Sequence, residues 1–145
     1  MKVGIDIGIK KLYSDAFEGR NDIIMWDVQQ ISNEQLIKVK FIKTNSNNKQ
    51  GIWIATDKGI EVNGNLYSQI NLWEDTSPKE VILKCYTDVG LLSIYNIWDK
   101  GRGRNSQSYT SGMIIKEIDN VLYYYCNDYG FETDFNKLIF SIEKL

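Results

Sequence analysis

Gly51-Ile52-Trp53-Ile54-Ala55-Thr56-Asp57-Lys58-Gly59-Ile60-Glu61-Val62-Asn63-Gly64-Asn65-Leu66-Tyr67-Ser68-Gln69-Ile70-Asn71-Leu72-Trp73 decides how the rest of the chain is read. Residues 52–56, 59–62 and 66–73 are short runs rich in β-branched and aromatic side chains, each bounded by turn formers, the pattern of strands. Asn63-Gly64 is the dipeptide favoured in a type I′ hairpin, because both residues tolerate positive φ. Asp57-Lys58 separates two further runs, so the stretch predicts two hairpins in series.

The same rhythm extends outward. Val3, Ile5, Ile7 and Ile9 alternate with Gly4, Asp6, Gly8 and Lys10, and Ile37, Val39 and Phe41 alternate with lysines, as half-buried strands require. Apolar runs recur at 23–26, 81–87, 91–98, 113–118, 121–127 and 138–142, punctuated by Pro78, Asp88-Val89-Gly90 and Asp119-Asn120. Ser32 and Gln35 have the spacing of a capping box, and Ile31 and Leu36 that of a hydrophobic staple. Strand rhythm resumes directly afterwards, so one short turn running into a strand is expected. About ten strands with no long helix predict an all-β, mainly antiparallel fold: a β-sandwich or jelly roll with at most one or two short helices.

The 145 residues, 43% hydrophobic and 25% charged, suit one domain spanning 1–145 that needs neither disulfide nor metal to hold its core. Histidine is absent, which excludes Ser-His-Asp and Cys-His catalysis. With only Cys85 and Cys126, a tetrahedral zinc site would have to draw at least two ligands from carboxylates. No cofactor is expected. A net charge of −2 provides no overall basic field for nucleic acid. The first residues lack the apolar core of a secretory signal and no run approaches a membrane span, so a cytoplasmic protein with reduced cysteines is expected.

Four groups of residues are candidates for chemistry. Asp6, in Val3-Gly4-Ile5-Asp6-Ile7-Gly8, resembles the first-strand aspartate of RNase H-fold nucleases and of sugar-kinase or actin-like ATPases, where it binds Mg²⁺. That fold also needs further carboxylates and alternating helices, which the sequence does not offer. Residues 99–112 form a glycine- and hydroxyl-rich loop in which Asp99, Lys100, Arg102, Arg104 and Tyr109 are candidate partner contacts. The arginines suit a carboxylate or phosphate, and the tyrosine suits an anchor. The alternative is that the arginines pair with Glu117 or Asp128 and pin the loop. Trp26, Trp53, Trp73, Trp98 and the tyrosines are either core or a sugar-stacking face, which would make the chain a carbohydrate-binding module. Acidic residues flanking turns, with Glu74, Asp75 and Asp128 selected, are either solvated or a lure for a basic partner.

Residues 72–81, 92–104, 106–113 and 125–128 together resemble small bacterial immunity proteins of contact-dependent growth inhibition and related polymorphic-toxin systems. That resemblance implies a non-enzymatic, cytoplasmic protein that binds a cognate toxin domain, plausible targets including nucleases, and blocks it. It implies no direct nucleic-acid or membrane partner, and it assigns no residue roles.

Overall fold

The computed structural model describes residues 8–14, 16–17, 20–107, 111–128 and 134–145. Eleven strands run in chain order: β1 (Leu12–Tyr13), β2 (Ile24–Gln30), β3 (Gln35–Thr44), β4 (Lys49–Val62), β5 (Asn65–Trp73), β6 (Glu80–Cys85), β7 (Leu91–Asp99), β8 (Arg104–Asn105), β9 (Gly112–Ile118), β10 (Val121–Asn127) and β11 (Leu138–Lys144). No helix occurs among the described residues. All pairings between these strands are antiparallel.

The all-β antiparallel expectation holds, but the sandwich does not form. Hydrogen bonding runs β2-β9-β10-β11-β3-β6-β4-β7, and a β2–β7 pairing returns it to its start, closing a barrel of eight strands. Only β1, β5 and β8 lie outside the ring, with β5 paired to β4. A sandwich and a closed barrel share the same alternation and the same turns. They differ in which distant strands meet, as β11 meets β3 here, and periodicity does not encode that choice.

Closure depends on a shared bend. β2 runs on into β3 and β6 into β7, since Gln30 lies opposite Leu91 and, past the turns, Gln35 lies opposite Cys85. β4 spans both halves, pairing β7 from Lys49 to Ala55 and β6 at Ile60 and Glu61. The expected turn at Asp57-Lys58 is therefore a bulge within one long strand. Residues 56–59 stand opposite Ser68 alone. The Thr56 hydroxyl donates to the Gly59 carbonyl and accepts from the Gly59 amide, both at 2.9 Å, while Gly59 takes φ +105°. Such bulges bend a strand and raise its twist, as a barrel corner requires.

The turns behave as their residues dictate. Asn63 (φ 52°) and Gly64 (φ 79°) close the β4–β5 hairpin, and Asp119 and Asn120 close β9–β10 with positive φ. At Ser32 a tight turn forms as expected. The Gln35 side chain accepts from the Ser32 amide at 3.4 Å, but the Gln35 amide bonds the Ser32 carbonyl at 3.2 Å rather than its hydroxyl. No helical turn is built.

β4 and β7 are buried on both faces through Ile52–Ala55 and Leu92–Trp98, which explains why the first run is wholly apolar and the second is broken only by the buried Ser93 and Asn96. Ile37, Val39, Leu83, Leu138 and Ile142 join them in the core, and Tyr124 stacks flat on Phe140 with centroids 4.5 Å apart.

Candidate functional site

The start of β4 and the ends of β5 and β7 meet at one end of the barrel. Lys49 is the register partner of Asp99, and Gly51 that of Trp73. Four of the expected partner contacts, Asp99, Lys100, Glu74 and Asp75, follow directly from those strand ends and so share this rim. Lys49 bridges them. Its Nζ sits 3.6 Å from Asp75 Oδ1 and 4.8 Å above the Trp73 ring, and its charge also favours ionised Asp99.

Both rim segments are ordered by their own backbone. Asp99 Oδ1 accepts from the amides of Gly101 (2.6 Å) and Gly103 (3.1 Å). The Gly101 bond is the largest cause holding the Asp99 carboxyl below its ordinary pKa, and it prevails with the other amides over slight desolvation. The chain then returns as β8, where Arg104 pairs with Asp99 and Asn105 with Trp98. Beyond β5, the amides of Thr76 and Ser77 both donate to the Trp73 carbonyl, and the Glu74 amide donates to the Gln50 carbonyl at 2.9 Å. Next to this turn lies an open cleft of about 300 Å³ lined by Phe41, Lys43, Glu74, Ser77 and Lys79 among others.

Arg104 does not pin the loop to Glu117 or Asp128. It donates to the Tyr95 hydroxyl at 3.2 Å, with its guanidinium 6.0 Å from the ring centroid. Tyr95 stacks on Trp53 (4.4 Å, 12°), Trp26 packs against both, and Trp53 Nε1 donates to Gln69 at 2.6 Å. These rings bury one another, and Trp98 is fully enclosed. A sugar-stacking face built on them is not presented. Trp73, half-buried beneath Lys49, is the rim's aromatic.

Asp128 is not at the surface. It is 1% exposed, and its Oδ2 accepts from Ser46 Oγ (2.8 Å), Asn48 Nδ2 (3.1 Å) and Gln50 Nε2 (2.8 Å). Its work is to anchor the polar 44–50 segment that leads into β4. A contact role expected from a turn-flanking acid is thus replaced by an internal one. Burial and the neighbouring Asp128 charge push the Cys126 thiol up, and burial pushes Cys85 up to about 12.

A second buried carboxylate escaped the sequence reading. Asp27, on β2, is fully enclosed and accepts from Tyr124 Oη (2.5 Å) and Gln29 Nε2 (2.9 Å), while Lys11 Nζ reaches its other oxygen at 2.9 Å. Burial first, then the Asp27 charge, raise the Tyr124 hydroxyl pKa, so it stays a donor. The available signal was an acid set into the apolar run 23–28, where an unpaired charge would be costly.

Tyr109 and Asp6 lie outside the described residues. Among the described residues no group of three Asp, Glu or Cys side chains stands close enough to hold a metal ion. The helices that would set further carboxylates beside Asp6 in an RNase H fold are not part of this all-antiparallel barrel. No family model matches the chain, and no curated protein matches it either.

Proposed function

We propose that the protein is a non-enzymatic immunity protein, whose barrel end binds and neutralises a cognate toxin domain in the cytoplasm. The observation that carries this reading is the convergence, around Lys49, of two separately encoded segments, 73–77 and 99–105. They display Asp75, Asp99, Arg102 and Trp73 on backbone that is already hydrogen-bonded in place. A pre-ordered surface loses little conformational entropy on association, and neighbouring charges of both signs favour one complementary partner over others. The Asp99 carboxylate orders the loop and Lys49 pairs with Asp75 at the surface, an arrangement that supports a binding role.

The experiment is protection. The reading frame directly upstream is expressed as a toxin, alone and together with this protein. Restored growth in the paired culture supports the proposal, and growth arrest despite soluble protein refutes it.

A further inference from the structure

We propose that the outer edge of β5 is a self-association edge, on which a second copy of this chain adds its own β5 antiparallel across a two-fold axis at Asn71. The Glu74 amide donates to the Gln50 carbonyl, so in the continuing register Leu72–Ile52 and Ile70–Ile54 are the pairs that exchange bonds with β4. The alternate residues, Gln69, Asn71 and Trp73, turn their amides away from β4. Among the described strands, only β4 pairs with β5.

The edge lacks the usual protection. Asn65–Trp73 contains no charge, proline or glycine, although a quarter of the chain is charged. Edge strands normally carry such residues to prevent pairing with another chain. By contrast, the outer face of β3 beside its partners carries Lys38 and Lys40 paired with Glu143 and Glu80.

The strand is also complementary to itself. With Asn71 opposite Asn71 of the second copy, Ile70 meets Leu72 on one face and Gln69 meets Trp73 on the other. The two Asn71 residues exchange both backbone bonds, and each Trp73 amide reaches the opposing Gln69 carbonyl. The Trp73 carbonyl is already held by Thr76 and Ser77, so it is not needed. β5 ends at Trp73, where the chain turns, so Glu74 and Asp75 leave the ladder and the paired strands bring no like charges together. This occupant suits an uncharged edge better than a charged partner strand does, and a net charge of −2 opposes pairing only weakly.

The test is sedimentation velocity from micromolar to high-micromolar concentration on the wild type, Asn71→Lys, Asn71→Glu and an equimolar mixture of the two variants. Asn71 is exposed, and its backbone bonds do not serve the β4 ladder, so both variants are expected to keep the native circular dichroism. The wild type should dimerise. Each variant sets like charges opposite each other and should weaken dimerisation about tenfold or more, and the mixture should restore it as a heterodimer. Ile118→Lys, remote on β9, should leave it unchanged. In the wild type, hydrogen exchange at the Asn71 and Trp73 amides should slow as concentration rises. A wild type that stays monomeric, dimers indifferent to residue 71, or amides whose exchange ignores concentration would overturn the proposal.

Discussion

Thr87 Oγ1 donates to Asp57 Oδ1 at 2.5 Å, tying the bulge of β4 to the bend between β6 and β7. Asp57 Oδ2 also accepts from the Asp88 amide at 2.9 Å, and Thr87 in turn accepts from the Gly90 amide at 2.8 Å. The Thr87 amide donates to Asn33 Oδ1 at 3.0 Å, bringing in the turn between β2 and β3. One carboxylate thus gathers the bends that make the barrel corner.

Asp57→Ala should cost about 1–2 kcal/mol, because charge-assisted bonds contribute more than neutral ones and this group is only partly buried. Urea unfolding measures it. The pH sign follows from the shift. Desolvation alone would raise the Asp57 pKa, but the Thr87 hydroxyl and the Asp88 and Val89 amides hold it below the ordinary 3.8. A depressed folded-state pKa gives stability that is present above the unfolded value and lost as pH falls through the folded one. The wild type should therefore lose stability below about pH 3.8 more steeply than Asp57→Ala does.

Asp128→Ala separates scaffold from surface. Removing the carboxylate leaves the buried Gln50 amide and the half-buried Ser46 and Asn48 donors without their shared acceptor, and should destabilise by about 2 kcal/mol. Below the variant's melting temperature the folded molecules should still protect cells. If Asp128→Ala abolishes protection while the melting temperature is unchanged, Asp128 is a contact after all.

Tyr124→Phe removes one donor from the enclosed Asp27 and should cost about 1–3 kcal/mol in urea titration. Lys11→Met should also destabilise, since it leaves Asp27 without its cation. The double variant should lose less than the sum of the two, because both act on one carboxylate. Additive losses would mean that the two contacts are independent.

Cys85 and Cys126 are both buried, with thiol pKa values pushed up, so neither should react with a thiol reagent in native protein at neutral pH. Both should react fully in denaturant. Fast native labelling would contradict the packing around β6 and β10.

Much of the strand content was legible because the residues dictate it locally. Asn63-Gly64 and Asp119-Asn120 form the expected hairpins, and the run 138–142 lies within β11. Asp57-Lys58 misled because a bulge and a turn use the same residue types. What distinguishes them is that Gly59 continues the ladder by accepting from the Tyr86 amide, a partner far along the chain. The rim was legible as two loops but not as one place, since Lys49, which joins Asp75 to Asp99, lies in a polar segment that carried no signal of its own. Asp128 was misplaced on the surface for a related reason. Its three donors all come from residues about eighty positions earlier, and nothing local marks a buried acid.

The most direct test of the proposed binding function is calorimetric titration of this protein with the purified product of the reading frame directly upstream, repeated with the double variant Asp75→Lys, Arg102→Glu. Both positions are exposed, and the one Asp75 pairing is a surface ion pair of little worth to the fold. The expected result is a complex with about nanomolar affinity that the double variant weakens at least about tenfold without a change in melting temperature. No heat of binding, or equal affinity for both proteins, would contradict the account.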